Sequence, residues 1–188
     1  MMNAEKHYMF LNKLVKGNGI VLWGSTSLDD QLVGELLQGF DFGKRIYNRS
    51  VSGLTLEEAE KYLEPCVLGL LPSKVIINLG EEDLKVSNDV TKMIEQYRWI
   101  LYRIHVALPN CQLVVTTVPG EGEATVCFNE KLEELAREVG CTFHRVPNVS
   151  VEEEYVPKFL GTVKLSLYDS GAGYSGIASR AVFNMMIQ

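Results

Sequence analysis

The sequence is notable first for what it lacks. No apolar run reaches 18 residues, which excludes a membrane-spanning helix of ordinary length. No cluster of five or more Lys/Arg occurs, and the formal net charge is −6, so a nucleic acid is not expected as partner. The four cysteines, Cys66, Cys111, Cys127 and Cys141, include no C-x-x-C pair. Only Cys141 and His144 approach metal-ligand spacing, too few ligands for a zinc site, so no metal and no cofactor is expected and the thiols read as reduced and mostly buried. The N-terminal stretch carries Glu5 and Lys6 where a secretory signal would need its apolar core, which leads us to expect a cytoplasmic protein. Repeats, low-complexity stretches and linkers are missing too, so residues 1–188 read as one domain.

What is present is the balance of a globular protein: 46% hydrophobic and 22% charged residues in 188. Short apolar runs alternate with longer helical patterns. Gly19–Trp23, Arg45–Asn48, Lys74–Leu79, Gln112–Thr117 and Cys141–His144 read as five strands. Helical spacing predicts helices over Ala4–Lys16 with Gly17 as C-cap, over Leu28, Leu32, Val33, Leu36 and Leu37, and after the capping box Thr55-x-x-Glu58, ending near Pro65. A long helix runs from a Ser87 cap through Val90, Met93, Ile94, Tyr97, Ile100, Leu101 and Ile104 to Pro109; another carries Phe128, Leu132, Leu135 and Ala136; a C-terminal one carries Tyr174, Ile177, Ala178, Ala181 and Val182. Such alternation predicts a parallel sheet between two helical layers, with ligands bound beyond the carboxyl ends of the strands.

Three of the loops at those ends carry polar residues in a suggestive order. The first reads Gly24-Ser25-Thr26-Ser27, the second Asn48-Arg49-Ser50-Val51-Ser52-Gly53, the third Gly80-Glu81-Glu82-Asp83. Together with Phe128-Asn-Glu-Lys-Leu132 and the tail Gly173-Tyr174 and Ala178, they resemble the sequence blocks of the SGNH/GDSL hydrolases, from Gly19 to Val182. The resemblance implies a three-layer α/β/α sandwich with a five-stranded parallel sheet, of flavodoxin-like type. It also implies cleavage of esters or acyl groups. In that family a block-one serine attacks the carbonyl. Its N–H, a block-two glycine N–H and a block-three asparagine form the oxyanion hole, and a D-x-x-H histidine is the base.

Carried over residue by residue, the resemblance places Thr26 at the nucleophile position, or Ser27 if the turn holds one extra residue. Gly53 is the intact glycine, whereas Glu82 stands at the asparagine position, where an ionised carboxylate has no hydrogen to donate. Counting back from Gly173-Tyr174 puts Tyr168 at the histidine position and Leu165 at the aspartate position; a gapped count uses Asp169 as acid and leaves Gly171 or Ala172 as base. Tyrosine is about 0.1% ionised at neutral pH and is a poor base. Of the three histidines, His7 and His105 lie on helices and read as surface or packing residues. His144, at the end of the fifth strand near Glu152–Glu154, is the one candidate substitute base. Ser25, Ser27 and Asn48 are candidate binding residues, Trp23 reads as core, and Glu81, Glu82 and Asp83 diverge too much to share a metal ion. Three functions remain open: an esterase with a rearranged site, a non-catalytic binder of a small ester, acyl or carbohydrate ligand, and an interaction scaffold.

Overall fold

The computed structural model describes residues 4–29, 43–147 and 155–167. Its elements in chain order are α1 (Ala4–Asn12), β1 (Ile20–Gly24), a 3-10 turn (Thr26–Leu28), β2 (Ile46–Asn48), α2 (Leu56–Cys66), β3 (Lys74–Asn78), α3 (Glu81–Val86), α4 (Val90–Ala107), β4 (Gln112–Thr116), α5 (Glu123–Glu138), β5 (Thr142–His144) and α6 (Tyr155–Leu167). All five strands are parallel, in the order β2-β1-β3-β4-β5. Between β1 and β3 the winding direction reverses, the switch point at which such sheets open a crevice.

The central strands read as continuous apolar runs because both their faces are covered. Val21, Trp23, Val75, Ile77, Leu113 and Val115 turn toward one core, which α2, α4 and α5 complete with Leu63, Tyr97, Ile104, Phe128 and Leu132. Ile20, Leu22, Ile76 and Val114 alternate to the opposite face and meet α6. For helix α6 the sequence leads us to expect only an acidic start at Glu152–Glu154, which lies outside the described residues. Its Tyr155, Val156, Phe159, Leu160, Val163 and Leu167 are buried against the sheet, each contributing on the order of 1.5–3 kcal/mol. Pro157 is tolerated because it falls in the first turn, where no intrahelical bond needs its N–H.

Two expectations are corrected locally, while α2 does end near Pro65 as expected. Helix α1 stops at Asn12, short of Lys16, so Gly17 is not its C-cap. The cap of α4 is Asp89, whose carboxylate accepts the Lys92 N–H at 3.0 Å; Ser87 instead ends α3 and accepts the Asp89 N–H at 3.1 Å. Asp89 wins because α3 occupies the chain as far as Val86. Pro65 lies inside α2, one residue before its end, and its carbonyl accepts from Asn12 Nδ2. The helix expected over Leu32–Leu37, the C-terminal helix from Tyr174, Glu152–Glu154, Tyr168, Asp169, Gly171 and Ala172 lie outside the described residues. Among the described residues no helix is long and apolar enough to cross a membrane.

Candidate functional site

The loops after β1, β2 and β3 converge at the carboxyl edge of the sheet. Thr26 opens the 3-10 turn after β1, and its hydroxyl is the meeting point. It donates to Glu82 Oε1 at 2.6 Å, accepts the Gly53 N–H at 2.9 Å and lies 3.3 Å from Ser52 Oγ. Gly53 has φ +76, a conformation that favours glycine, and a Cβ there would meet nothing within 4 Å, so its N–H faces Thr26 from an open surface.

Glu82 is held in turn by Lys85, one helical turn on, with Nζ 2.8 Å from Oε1. Burial opposes the carboxylate charge, but the hydrogen bonds from Lys85 and Thr26 and the Lys85 charge outweigh it and hold the Glu82 carboxyl below its ordinary value. The same bond to Glu82 raises the Lys85 ammonium. Glu82 is therefore ionised at neutral pH. The residue that the sequence resemblance aligns with an oxyanion-hole asparagine thus carries a negative charge. Glu81, which is buried where Glu82 is only partly so, accepts the Ser27 N–H at 3.1 Å and lies 3.4 Å from Lys85 Nζ. Asp83 points elsewhere, accepting the Leu56 N–H at the start of α2 at 3.0 and 3.2 Å, a partner in another element and not only its own loop. Glu81 and Glu82 thus share Lys85, while Asp83 turns away to the start of α2.

A second tier of bonds fixes the loops. Asn48 ties the first loop to the second: Nδ2 donates to the Leu28 carbonyl at 2.7 Å and Oδ1 accepts from Ser50 N at 3.1 Å. Asp29 accepts the Ser52 N–H at 2.9 Å. Ser25 is fully buried behind Thr26, and its Oγ has no hydrogen-bond partner among the described residues. Below the site, buried Asn78 at the end of β3 directs Nδ2 at Thr116 Oγ1, the Thr117 carbonyl and Tyr155 OH, all within 2.8 Å. Trp23 is wholly buried in the core.

Sequence reasoning did not single out Ser52, Lys85 or Asp29. Lys85 carries a local signal, since it lies three and four residues after two glutamates on one helix. Ser52 and Asp29 carry none, because their roles arise from loops more than 20 residues apart.

The imidazoles lie apart from this cluster. His144 closes β5 and places Nε2 2.7 Å from Ser166 Oγ on α6; burial depresses its pKa. The hydroxyl it meets is therefore that of Ser166, while the partners of the Thr26 hydroxyl are Ser52, Gly53 and Glu82. His7 is exposed on α1 beside Tyr8, and His105 lies in the last turn of α4. Leu165, at the aspartate position, falls within α6.

No family model matches the chain, and no curated protein matches it in sequence. Solved structures match it in fold. A GDSL-like lipase from Bacteroides thetaiotaomicron superimposes with a TM-score of 0.67 at 14% identity, over 87% of this chain and 96% of that one. A family 3 carbohydrate esterase from Clostridium thermocellum gives 0.62 at 13%, over 81% of this chain and 98% of the other. A family two carbohydrate esterase from the same organism, in complex with cellohexaose, gives 0.62 at 13%, over 81% of this chain and 66% of the other. At such identities the likeness is one of fold: the chain has the α/β fold of the SGNH/GDSL hydrolases, with its five-stranded parallel sheet.

Proposed function

We propose that this protein is a ligand-binding member of the SGNH-hydrolase fold that does not hydrolyse esters, and that its ligand is a small hydroxyl-rich molecule of carbohydrate type. The observation that carries this reading is the chain Thr26–Glu82–Lys85, with an ionised carboxylate where a hydrolase of this fold needs a donor. A developing oxyanion beside Glu82 would be repelled. A sugar hydroxyl, by contrast, brings a hydrogen for Glu82 and lone pairs for the Gly53 N–H and the hydroxyls of Thr26 and Ser52. An ester carbonyl brings lone pairs alone. The solved complex of one structural neighbour with cellohexaose supports a saccharide as the first ligand to try. The missing base supports the same reading, since the last sequence block contains no histidine and His144 is engaged by Ser166.

One observation favours a second reading, an esterase with a rearranged site: the Thr26 hydroxyl donates to a carboxylate at 2.6 Å, as a nucleophile does to its base. The depressed pKa of Glu82 makes it a weak base and ranks this second. The four free thiols support the cytoplasmic placement as part of the proposal.

Titration of the 15N-labelled protein with cellohexaose and, separately, with triacetin tests the reading. It expects cellohexaose to move the amide resonances of Thr26, Ser52, Gly53 and Glu82 without any product appearing. Triacetin cleavage that disappears in Thr26→Ala would replace it with the esterase reading. If neither compound moves these amides and neither is cleaved, the choice of a saccharide is wrong.

A further inference from the structure

Arg49 carries an unusual arrangement for a cation. It is only 5% exposed, yet no carboxylate among the described residues pairs with it. Its guanidinium instead lies 5.0 Å from the centre of the Tyr8 ring and 5.5 Å from that of Tyr47, and donates to Asn12 Oδ1 at 3.2 Å. Two aromatic faces and one amide thus stand in for a counter-ion. An ordinary surface arginine would keep its head in water, so this burial calls for an explanation in what the contacts hold.

Two of the three partners, Tyr8 and Asn12, belong to α1, and Tyr8 makes a further contact. Its hydroxyl donates to the Ser50 carbonyl at 2.7 Å. Burial first, then the Asp29 charge, pushes the Tyr8 phenol up to about 12, so it remains protonated and able to donate. Asn12 in turn donates to the Pro65 carbonyl at 2.8 Å, which anchors α1 to the end of α2. On the other side, the Arg49 N–H donates to the Leu22 carbonyl at 2.8 Å and the Val51 N–H to the Gly24 carbonyl at 3.0 Å, extending the β1–β2 pairing beyond β2. Residues 49–51 are therefore fixed to β1 through their backbone and to α1 through Arg49 and Ser50. The next two residues are Ser52 and Gly53, which meet the Thr26 hydroxyl.

We propose that Arg49, clasped by Tyr8, Tyr47 and Asn12, is the positioning residue of the second loop, and that α1 acts through it as a strap that aims the Gly53 N–H at Thr26. Helix α1 thereby belongs to the frame of the site, reaching it through the second loop. The strap acts on the free protein, whatever ligand the site takes.

The test is amide hydrogen exchange on the unliganded full chain, comparing wild type with Tyr8→Phe and Arg49→Lys. Tyr8→Phe keeps the ring under the guanidinium and removes only the bond to Ser50. Arg49→Lys keeps the charge and loses the planar stack and the fixed reach to Asn12. The proposal expects the Val51 and Gly53 amides to exchange at least about fivefold faster in each variant, the factor for one ordinary hydrogen bond. The amides of Val75, Ile76 and Ile77 in β3 keep their wild-type rates. Equal acceleration of β3 and the second loop would reduce the cluster to general stability and overturn the proposal, as would unchanged Gly53 exchange. Should Arg49→Lys fail to fold, Tyr8→Phe, which removes one oxygen atom, decides alone. Failure of the carbohydrate reading leaves this exchange result unaffected.

Discussion

Asp83 offers a sharp test of how the third loop is held. Its carboxylate, only 9% exposed, accepts the N–H of Leu56, the first residue of α2. That N–H has no intrahelical acceptor, and Leu56 is itself only 3% exposed. Asp83→Ala leaves a buried donor unpaired, which costs about 1–3 kcal/mol, and removes a negative charge from a helix N-terminus, about 0.3–1 kcal/mol more. Against this stands the burial of Asp83, which raises its carboxyl above the ordinary value despite the Leu56 bond. Relief of that desolvation offsets part of the loss, and a net destabilisation of about 2 kcal/mol follows. For a chain of this size each kcal/mol moves Tm by about 2–4 °C, so Asp83→Ala should melt about 4–8 °C below wild type at pH 7. Asp83→Asn keeps an acceptor and drops the charge, and should fall within about 1 kcal/mol of wild type. Thermal unfolding followed by far-UV circular dichroism reads both. An equal loss in Asn and Ala would mean that the charge, not the acceptor, holds Leu56. No loss in either would refute the bridge.

Two further outcomes follow from the same geometry. Glu82 has its pKa depressed in the folded protein, so its contribution to stability is fully present above the ordinary carboxyl value of 4.5 and is lost as pH falls through the lower folded value. The stability gap between wild type and Glu82→Gln in urea melts should therefore shrink between about pH 5 and pH 3; a gap that widens toward acid contradicts the ionised assignment. Gly80 has φ +109, and a Cβ there would lie 2.6 Å from Phe128 Cζ, so Gly80→Ala should cost several kcal/mol, on the scale of strain plus overpacking, with a matching fall in the urea midpoint; a near-neutral result would contradict the close approach of α5 to the third loop.

The strands were legible in the sequence to within a residue or two at each end, the three central ones because parallel strands covered on both faces must be apolar throughout. Helices α4 and α5 were legible because one face of each repeats at helical spacing over about three turns or more. Helix α6 has such a pattern as well, but Pro157 and Gly161, which ordinarily end a helix, interrupt it. Capping was harder. Ser87 and Asp89 are both good caps, and only the length of α3 decides between them. In the site, the order of Thr26, Gly53 and Glu82 along the chain was readable. The hydrogen bond from Thr26 to Glu82 joins residues 56 apart, and that from Gly53 to Thr26 joins residues 27 apart. Such bonds depend on the relative height of three loops above the sheet, which no local pattern encodes. The Arg49 clasp is of the same kind, since Tyr8 and Arg49 meet only because α1 packs beside the second loop.

The central claim is that an ionised Glu82 at the first-loop hydroxyl has taken the place of ester-cleaving chemistry. Its most direct test is the initial rate of p-nitrophenyl acetate hydrolysis at pH 7.5, wild type against Thr26→Ala, at matched protein concentration. The account predicts the same rate for both proteins. A wild-type rate at least tenfold higher, lost on substitution of Thr26, would contradict it.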